Sequence, residues 1–86
     1  MTTLKICTIH DSKVGAYMRP MTFTALGQAE RTFRDIVNDL EHEIGKHPED
    51  YTLFMVGEFN DQTGNIEAIE PLSIGNGINY KEPEIT

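Results

Sequence analysis

The sequence predicts an α+β domain: a mostly antiparallel sheet in the order β-β-α-β-β, with one amphipathic helix packed on one face. Three observations predict it. Residues 27–44 repeat apolar side chains at the period of a helix, residues 51–59 form an apolar run of strand length, and residues 60–65 read as a tight turn into a returning strand. The chain has 86 residues, room for one domain. Leu, Ile, Val and Phe number 21, above the roughly 20% below which disorder is expected. A chain this short still buries only about 60–65% of its unfolded surface, so its core is thin and a partner chain is expected to supply part of it.

Leu4 to His10 reads as the first strand, with Leu4, Ile6 and Thr8 on one face and Lys5, Cys7 and Ile9 on the other. Asp11 to Gly15 is a loop by its Asp, Ser and Gly. Ala16 to Thr24 is extended, and Pro20 places it at an edge, a bulge or a strand start because proline donates no ladder hydrogen bond. In the helix expected over 27–44, Ala29, Phe33, Ile36, Val37, Leu40 and Ile44 form one stripe. Thr24 is the candidate N-cap, Glu30 and Arg34 have the spacing of a helical ion pair, and Gly45 followed by Lys46 and Pro48 marks the stop.

Tyr51 to Phe59 is the strongest strand, with Leu53 and Met55 on one face and Phe54 and Val56 on the other. Apolar groups on both faces predict a second cover, and a homodimer over the helix-free face or an edge strand is the expected one. Gly64 suits positive φ in the turn, and Ile66 to Glu70 return as a strand stopped by Pro71. The domain is expected over residues 1–74, with 75–86 an irregular tail.

Composition removes several functions. The net charge is -7 and the pI near 4.7, which disfavours a basic nucleic-acid clamp or a polybasic membrane binder. No apolar run approaches the ~20 residues of a membrane helix, no signal peptide is read, and no membrane partner is expected. The single cysteine, Cys7, reads as a buried strand thiol, in keeping with a reducing cytoplasm.

Catalytic and metal motifs are each incomplete. His42 and His47 are five apart, not the four that would let two helical histidines meet one zinc ion. The loop 60–65 lacks the ligand spacing of a calcium hand. His10, Asp11 and Ser12 are adjacent, so strand geometry points neighbours to opposite faces. Gly75-Asn76-Gly77 precedes no helix that could hold a dinucleotide. The sequence therefore predicts no enzyme, no catalytic residues, no metal and no cofactor.

Charge is uneven along the chain. Residues 1–34 carry five basic and two acidic groups, and residues 35–86 two basic and twelve acidic. The candidate nucleic-acid-binding residues are Lys5, Lys13, Tyr17, Arg19, Arg31 and Arg34. Cations would hold phosphates and the ring would stack on a base, giving weak binding of single-stranded DNA. The acidic half offers the alternative, an adaptor docking on a basic protein through Glu41, Glu43, Glu49, Asp50, Glu58, Asp61, Glu67 and Glu70.

Two stretches add a resemblance. Residues 9–20 run from a strand into Asp11-Ser12-Lys13, then Tyr17 and Pro20. Residues 47–59 begin His47-Pro48-Glu49-Asp50-Tyr51-Thr52-Leu53-Phe54 and are followed by Asp61 and Thr63-Gly64. With Ala29, Arg31 and Phe33 between them, the chain over roughly 4–72 resembles the small nonstructural protein of the gokushovirus branch of the microviruses, phages with circular single-stranded DNA. The resemblance implies a phage nonstructural accessory protein, in the host bacterial cytoplasm, taking part in the switch from duplex replication to single-strand synthesis. It carries a suggestion of DNA binding; single-stranded DNA is the expected nucleic-acid partner, and a phage or host replication protein is the partner expected from the acidic half. It transfers no catalytic residue. The run 48–59 also has a structural account: Pro48 ends the helix, Glu49 and Asp50 turn the chain, and the rest fills the central strand.

Overall fold

The computed structural model describes residues 3–83. It is the expected α+β fold, a five-stranded antiparallel sheet with one main helix. The strands are β1 (Thr3–Asp11), β2 (Ala16–Tyr17), β3 (Met21–Phe23), β4 (Tyr51–Asn60) and β5 (Ile66–Asn76). The helices are α1 (Leu26–Val37) and the single turn α2 (Glu43–Lys46). The sheet order is β2-β1-β4-β5, and β3 shares with β2 the same outer edge of β1. Pro20 lies between the two short strands, at the edge where its missing donor costs nothing.

One side of the sheet meets α1. Cys7 and Ile9 of β1 and Tyr51, Leu53 and Met55 of β4 join Ala29, Phe33 and Val37 of α1 and Ile44 of α2 in the core. Cys7 is a free, fully buried thiol, and burial pushes its pKa up. The turn at 60–65 forms as expected, with Gly64 at φ 79°.

The helix expected over 27–44 is two helices. α1 ends at Val37, and Asn38 and Asp39 supply the reason. Asn38 donates its amide to the carbonyls of Arg34 (2.9 Å) and Tyr80 (3.0 Å), and Asp39 Oδ1 accepts from the Glu41 N–H (3.0 Å). Such side chains offer the backbone partners that compete with helix continuation. Leu40, placed on the apolar stripe by periodicity, is 58% exposed. His42 then caps α2, accepting from the Ile44 N–H, and Ile44 reaches the core from that second start. Gly45 sits within α2 and does not stop α1; a Cβ there would strike the Asp39 carbonyl. Ala25, not Thr24, is the N-cap of α1. The Thr24 N–H and hydroxyl instead donate to Gln28 Oε1.

The returning strand does not stop at Pro71. β5 continues to Asn76, and its pairing with β4 jumps from Gly57↔Ala68 to Met55↔Leu72. The extra residues on β5, Pro71 among them, form an irregularity on an edge strand, where a lost donor is tolerated. Residues 75–83, expected in an irregular tail, are held in place. A 3₁₀ turn spans Gly77–Asn79, Lys81 Nζ donates to the Val37 and Gly45 carbonyls (both 3.3 Å), and the Glu82 N–H donates to Asn38 Oδ1 (2.8 Å). Tyr80 packs edge-on against Phe33, ring centres 5.5 Å apart. Residues 84–86 of that tail lie outside the described residues.

Candidate functional site

Strand register sorts the sheet residues into two faces. On the helix side, rows crossing the sheet read Phe23–Lys5–Glu58–Glu67, Met21–Cys7–Met55–Leu72 and Ile9–Leu53–Gly75. On the open side they read Leu4–Phe59–Ile66, Thr22–Ile6–Gly57–Ala68, Thr8–Phe54–Ser73 and Tyr17–His10–Thr52–Asn76. The four open rows contain no Asp, Glu, Lys or Arg. Strict alternation from Leu53 would put Phe59 on the core face. The register shift between Ile6 and Cys7, with Val56 as the extra residue of β4, moves Phe59 to the open face and brings Glu58 opposite Lys5.

The six residues read as nucleic-acid contacts are distributed over both layers. Lys5 Nζ is 2.7 Å from Glu58 Oε2. Tyr17 is on the open face, its ring 4.7 Å from His10 and 5.5 Å from Phe54, all edge-on. Arg19 borders a groove on the helix side with Ile9, Ile36, His42 and Ile44. Arg31 and Arg34 are exposed on α1, which covers the other face from Tyr17. The expected Glu30–Arg34 pairing is replaced by two contacts with Tyr80. Its hydroxyl donates to Glu30 Oε2 (2.8 Å), and the Arg34 guanidinium carbon lies 5.3 Å from its ring centre.

Lys13 has acidic surroundings. Its N–H donates to Asp11 Oδ1 (3.0 Å), and it lines an open cleft of about 580 Å³ with Asp11, Glu43, Glu49, Asp50 and His47. The cleft forms because the end of β1, the start of α2 and the turn Pro48–Asp50 meet at one end of the sheet. The Ser12 N–H ties the first to the last through the Asp50 carbonyl (2.9 Å). Tyr51 closes its inner wall. Burial first, then the charge of Asp11 and Glu43, pushes its phenol pKa up. Of the eight acidic residues singled out from sequence, Glu43, Glu49 and Asp50 meet here, Glu58 and Glu67 are neighbours beside Lys5, and Asp61 is in the hairpin turn. Asp11 joins them unforeseen, since only tertiary structure brings residue 11 to residue 50. The ligating atoms of His47, Glu49 and Asp50 lie within 4.8 Å of one another and could meet one cation. Their near-adjacency in the chain was the available signal.

A family model described as Phage ORF5 protein matches residues 4–80. The chain belongs to that family. The match in this phage protein runs to Tyr80, the residue that joins the C-terminal segment to α1 through Glu30, Arg34 and Phe33. Comparison with curated proteins and with solved structures finds no significant match. Among the described residues, no helix is long and apolar enough to cross a membrane.

Proposed function

We propose that this phage protein is an accessory factor in single-stranded genome synthesis of a gokushovirus-type phage, and that it acts by docking on a phage or host replication protein. The observation that carries this reading is the acidic cleft. Asp11, Glu43, Glu49 and Asp50 converge at one end of the sheet, whereas the basic residues are spread over two layers and two of them, Lys5 and Lys13, face carboxylates. A basic patch on the partner would find complementary charge there, which governs association rate and register more than raw affinity.

The experiment is binding of the purified phage replication initiator, with nuclease present, to the native chain and to a Glu43→Gln, Glu49→Gln, Asp50→Asn variant. The native chain is expected to bind, with an on-rate that falls as salt rises from 50 to 200 mM, and the variant at least tenfold more weakly. Equal binding by both removes the cleft from the mechanism.

One observation favours direct DNA contact as a second reading: Tyr17, half-exposed, with His10 and Phe54 beside it on a sheet face. Such rings can stack on unpaired bases. Lys13 and Arg19, the cations that flank Tyr17 in the chain, would then anchor phosphates, and affinity for labelled single-stranded DNA must drop steeply with salt. No binding at 50 mM salt removes this second reading.

A further inference from the structure

We propose that the open face of the sheet is the interface of a symmetric homodimer, two copies packed sheet to sheet. Both central strands present alternating residues to each side. The helix covers one set, while Leu4, Ile6, Phe54 and Phe59 are only half-buried on the other. Ile66 at the margin is 69% exposed and Tyr17 48%. Contiguous apolar surface of this kind marks an interaction site more often than free surface.

Charge selects a second copy as the occupant. The chain carries -7, so two copies repel wherever carboxylates face each other. The four paired open rows contain no carboxylate and no lysine or arginine; Glu70, exposed in the irregular stretch of the edge strand β5, is the one carboxylate of the sheet that alternation from Ala68 places toward this side. Glu58 and Glu67 are on the helix side, and the acidic cleft is at the end of the sheet. A face tuned to a basic partner would carry acid along its rows; two copies meeting through these uncharged rows bring no carboxylates together at the centre of the contact.

Size is also consistent. β1 and β4 pair over nine positions. At about 3.3 Å per residue and 4.8 Å per strand, four strands offer roughly 30 × 19 Å. Two such footprints reach the low end of the roughly 1,200–2,000 Å² of a standard interface once side-chain relief is added. The Cα radius of gyration is 13.7 Å, against about 12 Å for a compact domain of this length. Pairing two thin layers through the open sheets restores a four-layer body with a central sandwich. Edge-to-edge pairing is the poorer route, because β5 carries Pro71 and its irregularity, and the opposite edge is split at Pro20.

The test is sedimentation velocity of the full chain from 2 to 200 μM, for the native protein, Ile66→Lys, Tyr17→Lys and Leu40→Lys. Leu40 is exposed in the α1–α2 connection and serves as the control. The native chain is expected to move from one to two chain masses of 9.7 kDa across that range, as is Leu40→Lys. Ile66→Lys and Tyr17→Lys are expected to dimerise at least tenfold more weakly, with unchanged melting at 2 μM showing that they fold. A native monomer at 200 μM overturns the proposal. So does a dimer indifferent to both open-face substitutions. A monomer whose tyrosine fluorescence responds to oligothymidylate, the response being lost in Tyr17→Phe, overturns it as well, by putting DNA on this face. None of these results bears on the acidic cleft, whose residues lie off the open face.

Discussion

The two faces of the sheet are built from alternate residues of the same strands and are nearly equally apolar, yet they differ in burial. Cys7, Ile9, Leu53 and Met55 are at most 8% exposed. Their neighbours Ile6, His10, Phe54 and Val56 are only half-buried. The difference is the cover: Phe33 and Val37 of α1 seal one side, whereas in the open rows only Thr8, bonded to the Met18 carbonyl, and Gly57 are buried. Hydrophobicity of a strand position thus shows what a face needs, not what the chain itself supplies. The faces also differ in tolerance of charge. At the margin of the covered face, Lys5 and Glu58 form an ion pair with each side chain about 30% exposed, while the open rows hold no permanent charge.

The largest effect that would sharpen this contrast is Phe33→Ala. It empties the centre of the covered side and should cost about 3–5 kcal/mol, measured by urea unfolding at low micromolar concentration. Phe54→Ala, on the open side, should cost markedly less under the same conditions. Equal costs would mean that the two sides are equally supported within one chain. Gly45→Ala comes next. The new methyl meets the Asp39 backbone carbonyl, a group unable to swing aside, and overpacking of this kind costs about 1–3 kcal/mol.

Tyr80→Phe removes a hydrogen bond to Glu30 and should cost about 1 kcal/mol at neutral pH. Its pH dependence is more telling. Burial, then the hydrogen bond and charge of Glu30, raise the Tyr80 pKa, with Arg34 opposing. The folded chain holds this proton more tightly than the unfolded one. Its stabilising contribution is therefore present below about pH 10 and lost as pH rises through the folded value. Thermal melts of Tyr80→Phe between pH 9 and 11 should show a shallower alkaline decline than the native chain; an equally steep decline would assign the loss to Tyr51 or Cys7. The smallest effect belongs to Lys5→Met. A pair this exposed contributes about 0.2–1 kcal/mol, and a larger change would show that the margin of the covered face is drier than its accessibility indicates.

Much of the fold was legible because it depends on local pattern. The alternation in β1, the apolar run of β4, the turn at Gly64 and the placement of Pro20 at an edge all follow from chain stereochemistry and side-chain polarity, and the structure has each of them. The misreadings arose where a distant partner outweighed the local pattern. Periodicity carried α1 through Leu40, but Asn38 is held by Tyr80 and Glu82 from the far end of the chain. Proline rules ended β5 at Pro71, but pairing with β4 resumes beyond it. A Glu30–Arg34 pair was the best local partnership, until Tyr80 arrived from fifty residues away and engaged both.

The same division holds for the candidate sites. Sequence by itself determined that the chain is acidic and that its charge is polarised along its length, because these are properties of composition and spacing. Only the tertiary structure decided that Asp11 joins Glu43, Glu49 and Asp50 around one cleft, that Tyr17 and Arg34 lie on opposite sides of the sheet, and that a one-residue shift in β4 turns Phe59 outward. The physical reason is that charge and burial act through space, and the register that converts chain distance into spatial distance is set by long-range strand pairing.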